Sequence, residues 1–427
     1  MKLKQKLIKQ FMGVGVMKLL SIPIGLVTSI ILARVLGPEK FGQYAFIMAL
    51  IPILALPVSG GVPQLIMREV ATYAHSRSWS HYKGLLVAAH GWVVVVSALL
   101  LILTWGIGSQ TGLLTAQGKW ALLPIAALMI PFVGLGAVRS GATKGLGMPV
   151  YAEAPQLIVQ PIVVLMFIAG TAYFGILEPR IAIFGQLFGA FITFLVASAL
   201  FIKVQPNLIT KLPKSYDSKR WASALLPFSL IALVSTFNAQ IGIIILGFMG
   251  SDEEVSAMRV AERAGGLIVL SLSIINMVLA PYVARAYQSK DMKKLQNMVT
   301  KSARSSFLLS LPLALLLIVM GKEIIELVFG VEYSEISYWP LVVVVAAQLF
   351  NVFCGSAGMV LSMSGNEKLT LVGQFVAVLI NIVLCISLIP FYGAVGAAFS
   401  VGFALITWNL ILMYFLKKKL GVTAGPL

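Results

Sequence analysis

The sequence is poor in charged residues. Asp, Glu, Lys and Arg together make up 11% of its 427 residues, whereas 59% of the residues are hydrophobic. Soluble domains carry about 25% charged residues, so the composition argues against a soluble protein. Little charge and many long apolar runs instead predict an all-α, polytopic membrane protein, because helices satisfy their own backbone hydrogen bonds in lipid.

Cysteine and histidine are also scarce. Cys354 and Cys385 fall in apolar segments, where isolated cysteines act as small buried hydrophobes, so we predict no disulfide framework. The histidines His75, His81 and His90 have no Cys or His partner at the spacing of metal ligands. The sequence therefore gives no reason to expect a metal site.

Known enzyme motifs are missing as well. The sequence contains no G-x-S-x-G nucleophile elbow, no phosphate-binding P-loop and no H-E-x-x-H zinc motif. No segment between the apolar runs is long enough to form a soluble catalytic domain. We therefore predict a protein that is not an enzyme and that uses no cofactor.

Twelve apolar segments are long enough to cross a bilayer of about 30 Å as helices. They lie near residues 10–35, 42–67, 84–106, 119–140, 152–174, 180–203, 222–249, 255–284, 303–320, 338–362, 369–390 and 394–416. A basic linker at 204–221 separates an N-terminal lobe of six helices, 1–203, from a C-terminal lobe of six helices, 222–427.

Lysine and arginine are unequally distributed between the predicted loops. With these spans, 24 of the 32 Lys and Arg residues fall on one side of the membrane and 4 fall in loops of the opposite side. Basic loops remain in the cytoplasm, so both termini are predicted to be cytoplasmic. The formal charge of +17 follows this topology and gives no reason to expect nucleic acid binding.

The two lobes repeat one another weakly. At an offset of 213 residues, Ala71 matches Ala284, and the basic loop after span 2 matches the loop after span 8. At an offset of 218 residues, Gly147 matches Gly365. Matched elements cross the membrane in the same direction, which predicts a pseudo-two-fold axis along the membrane normal and a cavity between the lobes.

The most informative span is the charged one, residues 255–282. It contains Arg259, Glu262 and Arg263, whose i, i+3, i+4 spacing places them on one helical face. Charged groups inside a membrane span pair with one another or face a water-filled cavity. Since one Glu cannot neutralise two Arg, the face predicts a binding surface for an anion. The alternative is a local Arg–Glu pair, with the second Arg extending to the membrane surface.

Other polar groups in the spans have two interpretations each. Lys18, in span 1, either lines the cavity or extends back to the surface. His90, in span 3, either takes part in proton coupling or makes a hydrogen bond in packing, and Glu262 is the second candidate for coupling. Glu69 and Arg139 are predicted at inner helix ends, with an interfacial and a topological role respectively.

Amide side chains also recur within the spans, among them Gln348, Asn351 and Asn381. Buried amides join helices by hydrogen bonds. They are equally suited to binding sugar hydroxyls in a wet cavity, and the sequence leaves both roles open.

Two segments carry a family resemblance. Residues 33–44, ARVLGPEKFGQY, resemble the motif after the first helix of the polysaccharide repeat-unit (O-antigen type) flippases of the multidrug/oligosaccharidyl-lipid/polysaccharide exporter superfamily. Residues 381–398, NIVLCISLIPFYGAVGAA, resemble the same family's junction between spans 11 and 12. The span count, the basic linker and the repeat extend the resemblance over the whole chain.

This resemblance implies a V-shaped arrangement of two six-helix lobes around a central cavity, in a bacterial inner membrane. It implies that an undecaprenyl-pyrophosphate-linked oligosaccharide passes from the cytoplasmic to the outer leaflet by alternating access. Arg259, Arg263 and Lys18 are then the candidates for holding the pyrophosphate. The implied partners are membrane lipids and the polysaccharide polymerase and chain-length machinery, while the coupling ion, H⁺ or Na⁺, stays open.

Two other functions and one other branch of the superfamily fit the sequence less well. A cation-coupled multidrug or small-molecule antiporter would need an unpaired carboxylate deep in a span, but Glu262 is flanked by arginines and span 1 carries Lys18. The peptidoglycan-precursor branch of the superfamily usually has about two more helices. A membrane glycosyltransferase or polymerase would need a large outer loop with catalytic groups, which the sequence lacks.

Overall fold

The computed structural model describes residues 2–110, 118–206 and 212–426, and all regular secondary structure in these ranges is helical. The helices are α1 (Lys2–Leu54), α2 (Leu56–Ser59), α3 (Val62–His75), α4 (Trp79–Gln110), α5 (Leu123–Ala127), α6 (Met129–Gly145), α7 (Pro149–Ala154), α8 (Gln160–Tyr173), α9 (Pro179–Val204), α10 (Ser218–Met249), α11 (Asp252–Gly265), α12 (Leu270–Gln288), α13 (Met292–Val319), α14 (Gly321–Phe329), α15 (Val331–Cys354), α16 (Ala357–Met363) and α17 (Glu367–Leu420).

Two short helical turns complete the secondary structure of the described ranges. A 3-10 turn, Lys119–Leu122, precedes α5, and a π-helical turn, Pro155–Val159, joins α7 to α8. The side chains of the N-terminal lysines and residues 207–211 of the predicted linker lie outside the described part of the chain. The predicted all-α class is confirmed.

The apolar helices account for the predicted number of crossings. Within the described residues, nine helices are long and apolar enough to span a membrane, or ten when the pair Lys119–Ala127 and Met129–Gly145, bent by 41°, is counted as one span. α1 and α17 each join two helices across a kink, at Gly37 and Gly393. Counting the halves of these two helices separately gives twelve crossings. The protein is a multi-pass membrane protein.

Four spans that the sequence predicts as continuous helices are interrupted. Span 2 breaks at Gly60 and Gly61 between α2 and α3, and span 4 bends by 41° between α5 and α6. Span 8 breaks at residues 266–269, and span 10 breaks at Gly355 between α15 and α16. The φ angles of Gly61 and Gly355 are 77° and 71°, a region that glycine enters without steric cost. The prediction of unbroken helices at these places was wrong, because hydropathy does not register a local change of backbone direction.

The contacts divide the chain into two compact units. Unit 1 comprises Met1–Leu36 and Ile47–Thr236, and unit 2 comprises Gly37–Phe46 and Phe237–Leu427. The apolar core of unit 1 lies among α2, α3, α4 and α6, and a core of unit 2 lies among α12, α13, α16 and α17. The predicted lobe boundaries at 203 and 222 stay a prediction, because the start of α10 packs with unit 1.

Matching turns within the two units support the internal repeat. Arg77 and Lys290, 213 positions apart, are the described non-glycine residues with a left-handed φ, at 56° and 57°. Gly147 and Gly365, 218 positions apart, have φ angles of 81° and 78°. The backbone hydrogen bonds match as well: Ser78 N to Tyr73 O corresponds to Asp291 N to Ala286 O, and Met148 N to Thr143 O corresponds to Asn366 N to Leu361 O. At each of the two predicted offsets, the matched turns therefore have nearly the same φ angle and the same backbone hydrogen bond.

Replacing Arg77 by glycine is expected to stabilise the protein by up to about 1 kcal/mol, because glycine adopts the left-handed conformation without strain. The matched reverse change is Gly147→Ala, where φ is 81° and no atom lies within 4 Å of the added Cβ. It should destabilise the protein through the backbone alone. Thermal unfolding in detergent measures both effects, and shifts of the same sign in the two variants would contradict this explanation.

Glu69 is a buried carboxylate. It does not lie at a helix end, where the sequence predicts it, because α3 continues for six residues past it. Its side chain is fully buried in unit 1. Arg68 donates to Oε1 from Nε at 3.0 Å and from Nη2 at 2.7 Å, and Arg220 Nη2 lies 2.9 Å from Oε2. Trp221 Nε1 donates to the Tyr73 hydroxyl at 2.9 Å. These contacts fasten the first half of α10 to α3.

The break in span 2 also receives α10. Ser229 Oγ donates to Gly60 O at 2.9 Å. A Cβ on Gly61 would lie 2.5 Å from Ser229 N, so no larger residue fits without moving α10. The glycine pair therefore permits both the change of direction and the close approach of the two backbones.

Candidate functional site

α11 begins with a well-defined N-terminal cap. Ser251 Oγ accepts a hydrogen bond from Glu254 N at 3.2 Å, and Glu254 Oε2 accepts one from Ser251 N at 2.9 Å. This reciprocal pair is a capping box. Asp252, Glu253 and Glu254 also place negative charge in the first turn, where the helix dipole favours it. The cap fixes the start of the helix that carries the predicted cationic face.

The second half of α11 presents charge on one face. From residue 255 to residue 265, every residue is buried except Arg259, Glu262 and Arg263. The structure thus places these three residues together, as their spacing predicts. The opposite face of α11 packs into unit 2.

Arg259 is paired, whereas Arg263 is not. Arg259 Nη1 donates to Glu262 Oε2 at 3.0 Å, and its Nη2 donates to Ala45 O at 3.4 Å. Arg263 makes no hydrogen bond or ion pair with any described residue, and its side chain is exposed. The local Arg–Glu pair of the alternative interpretation therefore exists, and one net positive charge remains beside it.

Arg263 lies beside the ion pair of Arg259 with Glu262 and keeps accessible surface. A charged group from outside the chain can therefore reach its guanidinium.

α11 ends two residues after Arg263, and residues 266–269 form turns with i→i−3 bonds from Leu267 N to Ala264 O and from Ile268 N to Gly265 O. The predicted continuous span 8 is therefore two helices. Ser310 of α13 donates to Ile268 O at 2.6 Å, and its Oγ lies 2.7 Å from Ser271 Oγ. A hydroxyl of a neighbouring helix thus satisfies a carbonyl that the break frees, as membrane helices require.

Replacing Ser310 by alanine is expected to lower the free energy of unfolding by about 1–3 kcal/mol, because Ile268 O loses its donor in a buried position. A matched control is Ser387→Ala, since Ser387 is exposed and bonds only within its own helix, to Val383 O. That variant should lie within about 0.5 kcal/mol of the wild type. Denaturation in mixed micelles measures both, and equal effects at the two positions would contradict the proposed support of the break.

Lys18 and His90 both lie in unit 1. Lys18 on α1 is exposed, and its side chain makes no hydrogen bond or ion pair with the described residues. His90 Nδ1 bonds to Leu86 O, while its buried Nε2 has no partner in the described part of the chain. Facing a carbonyl, Nδ1 carries the proton of the neutral ring, and Nε2 offers a lone pair. Since α11 belongs to unit 2, a common site for Lys18 and the α11 arginines stays a prediction.

Three amides of unit 2 bond to one another. Asn409 Nδ2 donates to Asn351 Oδ1 at 3.0 Å, and Asn351 Nδ2 donates to Gln348 Oε1 at 3.3 Å. The first bond connects α17 to α15, and the second lies within α15. Of the two roles that the sequence leaves open for the span amides, Asn351 therefore has that of joining helices.

Cysteine and acidic side chains do not assemble into a metal centre in the described ranges, where no group of three His, Cys, Asp or Glu residues could hold an ion. Cys354 and Cys385 are free and buried, on α15 and α17 respectively. Both are buried as the sequence predicts, and Cys385 Sγ also donates to Asn381 Oδ1 at 3.3 Å.

Arg139 is a functional candidate that sequence reasoning missed. α6 continues for six residues beyond it, so Arg139 does not mark a helix end as the sequence predicts. Its guanidinium lies 5.1 Å from the ring centre of Phe201, and its Nε lies 3.4 Å from Ser198 Oγ. Arg139 has no acidic partner among the described residues. The signal available in the sequence was its place inside an apolar, glycine-rich run, without a nearby Asp or Glu.

Comparison with protein families gives two matches. The polysaccharide biosynthesis protein family matches residues 7–287, which is more than half of the chain. The MatE family matches residues 227–387. Together these matches extend from the first helix into α17.

Two curated relatives are similar to this chain. An inferred O-antigen transporter of Shigella flexneri is 23% identical over 411 residues, which cover 92% of this chain and 93% of that protein. The inferred low-salt glycan biosynthesis flippase Agl15 of Haloferax volcanii is 22% identical over 205 residues. That second match covers 47% of this chain and less than half, 43%, of the flippase.

Solved structures share the fold. A multidrug resistance MATE family transporter of the MOP superfamily, in an inward-facing conformation, matches with a TM-score of 0.78 at 14% identity over 94% of each chain. The lipid II flippase MurJ, in an inward closed conformation, matches with a TM-score of 0.72 at 17% identity over 95% of this chain and 87% of MurJ. The helices described above therefore share the fold of these two structures.

Proposed function

Because the chain belongs to the polysaccharide biosynthesis protein family, we propose that it is a flippase for a lipid-linked oligosaccharide. Its substrate is an undecaprenyl-pyrophosphate-linked repeat unit, which moves from the cytoplasmic to the outer leaflet of a bacterial inner membrane. The relatives named as an O-antigen transporter and as a glycan flippase support this assignment. These relatives and the solved neighbours are transporters, and the protein is accordingly a transporter and not an enzyme.

The observation that carries the proposal is the accessible, unpaired guanidinium of Arg263. A phosphate group accepts two parallel hydrogen bonds from one guanidinium, so an arginine without a protein partner suits pyrophosphate. Charges at mid-membrane depth are costly unless they serve a substrate or pair with another group. Arg259 has such a pair in Glu262, and Arg263 does not.

The residues act by binding and orientation, since no covalent chemistry is needed. Arg263 donates to the phosphate oxygens, and Glu262 holds Arg259 at one side of the site. Lys18, on the first helix of unit 1, is our candidate for a further positive charge on the phosphate. The prenyl tail remains in lipid, and alternating access changes the side on which the sugars are released.

Glu262 and His90 are our candidates for coupling to H⁺ or Na⁺. A proton on Glu262 would release Arg259 from its ion pair and raise the positive charge of the face. His90 Nε2 is a lone pair without a partner in the described ranges and can accept a proton without breaking any bond. If export stops depending on the ion in Glu262→Gln, Glu262 is the coupling group. If it does so in His90→Gln, His90 is the coupling group.

Deletion of the gene tests the proposed substrate. Lipid-linked repeat units should accumulate in the inner leaflet, and surface glycan should fall, because synthesis of the repeat unit continues without export. Mass spectrometry of the extracted lipids identifies the accumulated species. Normal surface glycan, or accumulation of a different lipid intermediate, would contradict the proposal.

The multidrug antiporter remains the second candidate, because the MatE family matches residues 227–387. Such an antiporter needs a carboxylate that is free to exchange a cation. In the described part of the chain, the span carboxylate Glu262 is bound to Arg259 and Glu69 is bound to two arginines. Dye efflux that requires Glu262 would favour the antiporter, and export of glycan without dye efflux favours the flippase.

A further inference from the structure

The segments that follow α9 and α17 each fold back onto a helix of their own unit. In unit 1, residues 212–217 have no regular secondary structure, and Lys83 Nζ on α4 donates to Leu212 O at 2.9 Å. In unit 2, Gln296 on α13 donates from Nε2 to Thr423 O at 3.0 Å and accepts from Thr423 N at 2.8 Å. Lys83 and Gln296 are 213 positions apart, which is the offset of the matched turns before α4 and α13. The same helix position therefore binds the following segment in both units.

Beyond this shared contact, the two segments run in opposite directions along their helices. The segment of unit 1 continues toward the start of α4, where Ser215 N donates to Ser80 O at 3.1 Å. A Cβ on Gly84 would lie 1.8 Å from Ser215 O, so this segment lies directly on the helix. In unit 2 the segment runs the other way along α13, and Pro426 O accepts a hydrogen bond from Arg304 Nε. The first turns of α13 therefore lack the cover that α4 has.

The uncovered side of α13 is exposed. At the offset of 213 residues, positions 80, 81 and 84 of α4 correspond to Lys293, Lys294 and Asn297 of α13. The three positions of α4 are buried or half-buried, whereas all three counterparts in α13 are exposed. The side chains of Lys293, Lys294 and Asn297 make no hydrogen bond or ion pair with the described residues. We call these three residues the open face of α13.

The open face is basic, and its charge is not a property of the repeat. Between residues 292 and 304, α13 carries Lys293, Lys294, Lys301 and Arg304 and no Asp or Glu. The four matching positions of α4, 80, 81, 88 and 91, contain neither Lys nor Arg. A segment that covers the open face as residues 212–217 cover α4 would therefore need acidic side chains, because charge complementarity decides which partner docks.

Asn297 supplies a contact for the backbone of such a segment. A side-chain amide has both donors and an acceptor, so it can bind the N–H and the C=O of one residue together. The neighbouring amide of Gln296 does this with Thr423. Because Asn297 stands where α4 has Gly84, a segment on α13 would lie further from the helix and would meet the amide instead of the helix backbone.

The place of the open face along α13 favours a peptide over a phospholipid headgroup. The exposed side of α13 becomes apolar at Leu308 and Leu309, which are 66% and 67% exposed. Lys293 and Lys294 lie about 20 Å before that point, at about 1.5 Å per residue. The headgroup layer on each side of a bilayer is only about 5–8 Å thick. Both lysines therefore extend beyond the headgroups into water.

We propose that Lys293, Lys294 and Asn297 form a docking surface for an extended acidic peptide of a partner protein. Carboxylates of the peptide pair with the two lysines, and the Asn297 amide binds one residue of its backbone. The surface contains no residue of the proposed glycan site, since Arg259 and Arg263 lie on α11. The proposal therefore stands or fails independently of the glycan substrate.

Binding of a defined acidic peptide tests the surface. The full-length protein is placed in phosphatidylcholine nanodiscs and added to a short fluorescein-labelled peptide that repeats Glu-Ser-Pro, in which proline favours an extended chain. Fluorescence anisotropy should show saturable binding that weakens as salt is added, because salt screens exposed charges. A matched peptide that repeats Lys-Ser-Pro should not bind. No binding of the acidic peptide, or equal binding of both peptides, would overturn the proposal.

Charge reversal assigns the binding to the open face. Lys293→Glu with Lys294→Glu should weaken peptide binding by about tenfold or more, because two attractive pairs become repulsive. The control is Lys203→Glu with Lys219→Glu, which makes the same change of charge at two exposed positions of unit 1. This control should bind the peptide like the wild type. Equal weakening in both double variants would show diffuse attraction to a basic protein and would reject the docking surface.

Two further measurements test the backbone contact and the lipid alternative. Asn297→Ala should weaken binding several-fold without any change of charge, and unchanged binding would contradict the amide contact. The difference between the wild type and Lys293→Glu with Lys294→Glu should persist in nanodiscs of phosphatidylglycerol. Loss of that difference would mean that lipid headgroups occupy the lysines, and the proposal would be wrong. Since all these positions are exposed, thermal unfolding of the variants should match the wild type.

Discussion

Replacing Arg263 by alanine is expected to lower glycan export by about ten- to a hundredfold while the protein still inserts. Each hydrogen bond to a charged group contributes about 1.5–3 kcal/mol, and every 1.4 kcal/mol corresponds to about a factor of ten. Because Arg263 makes no bond within the described protein, its removal should not destabilise the fold. Surface glycan in a complemented deletion strain measures export, and immunoblots of membranes measure insertion.

The matched control for this substitution is Arg285→Ala. Arg285 is also exposed and has no acidic partner among the described residues, but it lies in the last turn of α12, with its guanidinium 5.2 Å from the Tyr282 ring centre. This variant should export glycan normally. Arg263→Lys should keep part of the activity, since it retains charge but not the planar fork. Full export in Arg263→Ala, in Arg259→Ala and in the double variant would remove the proposed site.

Removing both arginines around Glu69 is expected to cause the largest loss of stability. In Arg68→Ala with Arg220→Ala, a carboxylate that is fully buried loses both counter-charges, which costs about 3–5 kcal/mol. Each single substitution should cost less, because the other arginine still pairs with Glu69. Denaturation in mixed micelles gives the free energies of unfolding.

Adding Glu69→Gln to the double variant supplies the control. The triple variant has no buried charge to neutralise, so it should recover most of the stability that the double variant lost. Glu69→Gln alone should have an intermediate effect, since Arg68 and Arg220 are half-exposed, at 48% and 49%, and can turn toward water. A triple variant as unstable as the double would show that the arginines act through packing and not through charge.

The sequence predicts the crossings and the charged face of α11 well. Apolar runs and the i, i+3, i+4 spacing are properties of a short stretch of sequence. Once that stretch is helical in the membrane, residues at this spacing lie on one face whatever the helix packs against. The turns at Arg77 and Lys290 were also foreseeable, because the repeat at an offset of 213 residues relates the two basic loops.

The interruptions and the pairing of charges were not predictable in the same way. The break after Arg263 depends on Ser310, a residue that hydropathy counts only as part of another span. The burial of Glu69 depends on Arg220, which lies 151 positions further along the chain. Such partners are set by tertiary packing, and a single sequence contains no local trace of them. The partners of Arg139, Ser198 and Phe201, were missed for the same reason, since they follow from the contact of α6 with α9.

The ion pair of Arg259 with Glu262 has a consequence for turnover. Because one of the two arginines is already neutralised, a lipid pyrophosphate would meet a single full positive charge on α11 and carry more negative charge than that helix cancels. A carrier must hold its cargo long enough to reorient and then let it go, and weaker attraction shortens the residence time. The glutamate would thus favour rapid discharge of the cargo over tight capture.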